Sequence, residues 1–215
     1  MLDLGFEIKP IVLMTGFGPF ACHPVNASWE AVKLVNKDEM EKKHNIELVQ
    51  VEIPVTYENV DEFVPLVIHV GVSDIADCFM LEIQAHRKGY KGLDYLDKCP
   101  ADHICAADGS VRITTKLNVE DMCKVFNECA EEGTSAVTSL NAGRYLCEYI
   151  YYTSLSNDSN RTLFVHVPNT NIYSSEKTAR GLEKILELCI QQVNDFDANK
   201  EITEKLNNTN INDKS

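Results

Sequence analysis

Apolar positions along this chain recur with two periods. Ile11–Thr15 is an unbroken run that predicts a buried strand, and Asn26–Val35 places Trp29, Val32 and Val35 on one face of a predicted helix. Ile46–Val55 alternates and is rich in β-formers, Leu66–Val72 reads as a central strand, and Asp77–Gln84 reads as extended. Val119–Glu131 predicts a helix with Met122, Val125 and Cys129 as its apolar stripe and Gly133 as its stop. Then follow a strand at Ala136–Leu140, a short helix at Gly143–Tyr152, a strand at Leu163–Val167 closed by Pro168, and a helix at Ser174–Val193 with Leu182, Ile185, Leu186 and Cys189 turned inward. Residues 88–110 carry Gly, Asp and Pro without periodicity and predict a long functional or covering loop.

Strands alternating with helices predict an α/β fold: a three-layer α/β/α sandwich whose twisted, mostly parallel sheet is flanked by helices. Residues 1–193 are expected to form one domain, and the polar stretch 194–215 an unstructured tail. Functional groups in such folds gather where strands end.

Composition narrows the function. Of 215 residues, 44% are apolar and 25% charged, as in an ordinary soluble domain. The formal net charge of −13 disfavours nucleic acid and anionic membranes as partners, since both need clustered Lys and Arg. No basic segment followed by a long apolar one opens the chain, and no run approaches the roughly 18 residues of a membrane span, so a cytosolic location is expected. Eight cysteines lack C-x-x-C or zinc-ribbon spacing, and are expected as free thiols with no metal bound.

Residues 12–32, VLMTGFGPFACHPVNASWEAV, follow the strand with G-x-G-x-x-A, the spelling of a dinucleotide loop. Such a loop presents backbone amides to a pyrophosphate, with the helix starting inside the motif. Here Pro19 removes an amide, His23-Pro24 delays the helix to about Asn26, and Phe17 and Phe20 stand where phosphate would approach. The two rings are either core residues or the wall of a small apolar pocket held by a tight turn.

Three further residues carry chemistry. Cys147 follows the bend Asn141-Ala142-Gly143 near the start of a helix, where unpaired amides favour a thiolate; packing as a buried small hydrophobe is the alternative. His166 sits in an apolar strand just before Pro168, either as a core histidine or as a base at a strand end. Glu82 interrupts the apolar FMLEIQ and either needs a buried partner such as imidazole or faces water.

Taken together, TGFGPF with VNASWEAV, EIPV, VIHVGVS, LE with HRKGYKGLD, AGRYLC with YYTSL, and FVHVP resemble the pyroglutamyl-peptidase type I family of cysteine peptidases, closest to its animal-type members. These stretches run in order from about residue 11 to 193. The resemblance implies a catalytic triad of Glu82, Cys147 and His166. It also implies a substrate pocket in which Phe17 and Phe20 hold the pyroglutamyl ring, Asn26 supports their loop, and Val55 and Leu146 lie near the ring. The implied activity is removal of an N-terminal pyroglutamyl residue from small peptides, with no metal or cofactor and reducing conditions to keep Cys147 as a thiol. The resemblance leaves monomer or homo-oligomer undecided. Two positions depart from the family pattern. Ala21 replaces a usual glycine, and the connection Thr56–Pro65 is ten residues where a parallel crossover takes about a dozen. The rival readings are a nucleotide-dependent oxidoreductase, from GFGPFA, and a catalytically impaired binding protein of the same fold.

Overall fold

The computed structural model describes residues 9–19, 24–56 and 66–212. Phe20, Ala21 and the connection after Thr56 lie outside the described residues. In chain order the elements are β1 (Ile11–Phe17), α1 (Ala27–Val32), α2 (Lys37–His44), β2 (Glu47–Ile53), β3 (Leu66–Val72), β4 (Phe79–Glu82), β5 (Gln84–His86), β6 (Arg112–Thr114), α3 (Val119–Cys129), β7 (Ala136–Ser139), α4 (Leu146–Asn157), β8 (Thr162–Val167) and α5 (Ser175–Asn212).

Six strands form the main sheet in the order β2-β1-β3-β8-β4-β7, and β5 and β6 form a small antiparallel pair beside it. Neighbours in the main sheet are parallel except β4 and β8, which run antiparallel. The expected α/β architecture with a mostly parallel sheet is the one observed.

Strand alternation divides the core between the two faces of the sheet. On one face Val12, Met14, Ile68, Val70, Leu163 and Val165 pack with residues of α1, α3 and α5, including Val32, Phe126 and Leu182. On the other, Phe17 and Phe164 pack under α4 through Ile150, Tyr151 and Leu155. His69 ties that second face together: its Nδ1 lies 2.8 Å from Thr15 Oγ1 on β1 and its Nε2 2.8 Å from Ser154 Oγ on α4. Full burial lowers its pKa to about 3, so it serves as a neutral bridge.

The apolar runs became strands close to their predicted limits, and the differences have local causes. α2 presents only Met40 to the core, so it carries no apolar stripe to detect. β6 is three residues long. The helix expected from Gly143 begins at Leu146, after an extended Tyr145. The expected end of the last helix at Val193 needs correction, because α5 runs on through the polar stretch to Asn212. Two contacts explain its first added turn: Phe196 packs against the core, and Asp197 pairs with Arg161. The loop of residues 88–110 is irregular apart from a single turn at Ala101–His103 and one bridge between Lys88 and Ile104. It closes over the α4 face, where Tyr90 is fully buried.

Candidate active site

The register of β4 and β8 builds the centre of the site. Glu82 lies opposite Phe164 and Met80 opposite His166, so Glu82 and His166 are diagonal neighbours on one face. The Glu82 Oε1–His166 Nδ1 distance is 2.8 Å, with Glu82 fully buried and His166 nearly so. With the carboxylate accepting, Nδ1 carries the proton, which leaves Nε2 for the Cys147 thiol; the sulfur lies against Gly71, the residue paired with His166 across β3 and β8. Glu82 Oε2 is buried with no hydrogen-bond partner among the described residues.

Cys147 is the second residue of α4, and Tyr145 at the cap position makes no side-chain cap hydrogen bond. First-turn amides there carry the positive end of the helix dipole and are left for another acceptor. Burial alone pushes the His166 pKa down. The hydrogen bonds to Cys147 and Glu82, with their charges, more than reverse this and raise it to about 9. A thiol, an imidazole and a carboxylate thus stand in series, an arrangement suited to nucleophilic acyl transfer.

Beside the sulfur lies a small pocket lined by Phe17, Asn26, Val55, Val72, Tyr145, Leu146 and Cys147. The resemblance had put Phe17, Val55 and Leu146 around the ring and Asn26 as the support of the loop, and Phe20 falls outside the described residues. Val72 and Tyr145 were not named as pocket residues from the sequence, although each lies inside a stretch that had been singled out, VIHVGVS and AGRYLC. The Tyr145 hydroxyl donates to Leu93 O at 2.7 Å, which brings the covering loop to the pocket.

Asn26 holds the phenylalanine loop by three bonds. Its Oδ1 accepts from Ser28 N at 3.1 Å and from Ser28 Oγ at 2.8 Å, and its Nδ2 donates to Gly18 O at 3.0 Å. Ser28 Oγ in turn accepts from Phe17 N at 3.0 Å, while Gly18 N donates to Ile53 O at 3.0 Å. The amides of the G-x-G turn are therefore engaged within the protein, and α1 starts only at Ala27. Gly16 serves packing: a Cβ there would lie 2.7 Å from Trp29 Cα, so only glycine lets α1 approach β1 this closely. Among the described residues of the loop, none is arranged for a pyrophosphate.

The match to known proteins agrees with this geometry. A family model described as pyroglutamyl peptidase matches residues 10–195. The chain belongs to the pyroglutamyl peptidase family. It is 40% identical over 189 residues to pyroglutamyl-peptidase 1 of Homo sapiens, covering 83% of this chain and 89% of that protein. It is 30% identical over 171 residues to a pyrrolidone-carboxylate peptidase of Pseudomonas fluorescens, covering 74% and 78% of the two chains. Among solved structures, pyrrolidone carboxyl peptidase from Thermococcus litoralis superposes with a TM-score of 0.76 at 19% identity, covering 87% of this chain and 96% of that one. At that identity the superposition speaks to the fold. The higher identity to the human enzyme places this family member nearer its animal branch, as the motifs suggested.

Proposed function

We propose that this chain hydrolyses the bond after an N-terminal pyroglutamyl residue of small peptides, with Cys147 as nucleophile, His166 as general acid and base, and Glu82 as the group that orients the imidazole. The observation that carries this reading is the Glu82–His166–Cys147 series beside a small, mostly apolar pocket. Pyroglutamate is a neutral lactam without an α-ammonium, so its pocket needs a flat apolar wall and a few backbone groups rather than a buried counter-charge. Phe17, Val55 and Leu146 supply the wall, and Asn26 holds Phe17 in place. Phe20 is assigned to the same wall on the family resemblance alone.

In the reaction, the Cys147 sulfur attacks the carbonyl carbon after the ring. The oxyanion is received by first-turn amides of α4, and His166 passes its proton to the leaving amine. Water then attacks the thioester with His166 as base, releasing pyroglutamate and the free thiol. Catalysis uses protein groups alone, and requires that Cys147 stay reduced. Turnover of a pyroglutamyl-amide reporter tests the assignment. Cys147→Ser and His166→Ala should each lower kcat/KM by at least about 1,000-fold. Near-wild-type turnover in either variant would refute it.

A further inference from the structure

Directly after the nucleophile stands Glu148, whose side chain is fully buried although it occupies the first turn of a helix at the edge of a reaction site. A buried carboxylate is costly unless it is paired and hydrogen bonded. Here Arg144 Nη1 donates to both of its oxygens, at 2.8 and 2.7 Å. On the far side, Glu148 Oε1 accepts from His86 N at 3.2 Å and lies 2.9 Å from His86 Nδ1. Tyr90, from the covering loop, packs near this cluster, and its hydroxyl donates to His86 O. None of these groups takes part in the acyl transfer described above.

The cluster links the two halves of the site. His86 ends β5, four residues after Glu82, and Glu148 fastens the first turn of α4 to it. Tyr151 adds a second fastening one turn later, its hydroxyl donating to Glu82 O at 2.7 Å. Arg144 also donates to Asn141 Oδ1 at 3.0 Å and to Gly143 O at 2.8 Å, which holds the bend leading into the helix. Electrostatics points the same way. A lone carboxylate one residue from a sulfur would oppose a thiolate, and a lone guanidinium there would favour it; the pair leaves little net field.

We propose that Arg144 and Glu148 form a charge-balanced positioning pair for the nucleophile, fixing the first turn of α4 against β5, which directly follows the strand of the triad acid, while cancelling the carboxylate's field at the adjacent sulfur. This rests on Cys147 being the nucleophile. The other groups facing the sulfur are His166, backed by Glu82, and Tyr145.

The test is the pH dependence of Cys147 alkylation by iodoacetamide, located by peptide mapping, together with steady-state kinetics. Glu148→Gln keeps the shape and removes the negative charge. It should move the alkylation midpoint down by at least about half a pH unit, and lower kcat about 10-fold with KM within about 3-fold. Arg144→Gln, at a partly exposed position, should move the midpoint up, Arg144→Lys should leave it near wild type, and the double Gln variant should bring it back. Unmoved midpoints, or shifts of the same sign in both single variants, would overturn the proposal, and the Arg144 variants decide it if Glu148→Gln does not fold. Slow, unselective alkylation of Cys147 in the wild type would instead refute its assignment as nucleophile.

Discussion

Gly71 leaves the space that the Cys147 sulfur occupies. A Cβ at residue 71 would lie 2.9 Å from Cys147 Sγ and 2.8 Å from Phe164 Cζ. Gly71 is paired with His166 across β3 and β8, so the missing side chain sits beside the imidazole on the face that α4 covers. The nucleophile end of α4 thus meets β3 at a position that has no side chain.

Gly71→Ala is therefore expected to displace the sulfur from His166. Moving a reacting atom by about 1 Å costs on the order of 100-fold in rate, and overpacking of this kind costs about 1–3 kcal/mol of stability. Reporter kinetics and thermal unfolding should show kcat/KM falling at least about 100-fold in a variant that still folds. An active Gly71→Ala enzyme would mean that α4 shifts freely, contrary to its fastening at Tyr151 and Glu148.

The raised pKa of His166 predicts the alkaline edge of activity. In the proposed reaction the imidazolium protonates the leaving amine, so kcat/KM should fall as pH rises through about 9. The linked stability has the same sign. A histidine whose folded pKa lies above its ordinary 6.5 stabilises the fold fully below that value, and the contribution is lost as pH rises through about 9. Glu82→Gln removes the carboxylate bonded to Nδ1, and should bring the alkaline edge down by about one unit with a loss of about 10- to 100-fold in kcat. A pH profile from about 6 to about 10 on both proteins checks this. An edge that Glu82→Gln does not move would separate the carboxylate from control of His166.

How far the sequence could be read depended on the kind of signal each residue sends. Strands β1, β3 and β8 are apolar on both faces because both are covered, and such runs stand out. Cys147, His166 and Glu82 could each be singled out as chemically conspicuous in their surroundings, but their own segments left a structural role open for each, and only the family resemblance grouped them as a triad. The direction of β4, antiparallel to β8, leaves no mark on composition, and it is this pairing that sets Glu82 diagonal to His166. α2 escaped notice because a helix with one buried residue has no stripe to show. Glu148 and Arg144, spaced i,i+4, look like an ordinary surface pair on a helix, and only the arrival of β5 and the covering loop buries the carboxylate. Tyr145 and Val72 became pocket residues through tertiary placement alone.

Asn26 separates stability from substrate binding. Asn26→Ala removes the cap on α1 and the bond to Gly18 O together. It should cost about 1–2 kcal/mol and raise KM about 10-fold. Asn26→Ser keeps a side-chain oxygen to cap α1 without burying a charge and loses the donor to Gly18 O, so KM should rise while the unfolding temperature stays closer to wild type than in Asn26→Ala. Equal KM for Asn26→Ser and wild type would show that the Gly18 carbonyl needs no donor to keep Phe17 in the pocket wall.

The extension of α5 past Val193 can be tested without touching the site. Phe196 packs on the face of the sheet opposite α4, and Asp197 reaches Arg161 just before β8. The ion pair is exposed enough to contribute only about 0–1 kcal/mol, so the ring should carry most of the effect. Phe196→Ala should cost about 1–2 kcal/mol, since the ring is only partly buried. For a domain of this size that corresponds to a fall of about 3–6 °C in Tm. Asp197→Asn should move Tm by less than about 3 °C, and both variants should keep wild-type kcat and KM. An unchanged Tm for Phe196→Ala would place the packing boundary back at Val193, where the apolar pattern of the chain had put it.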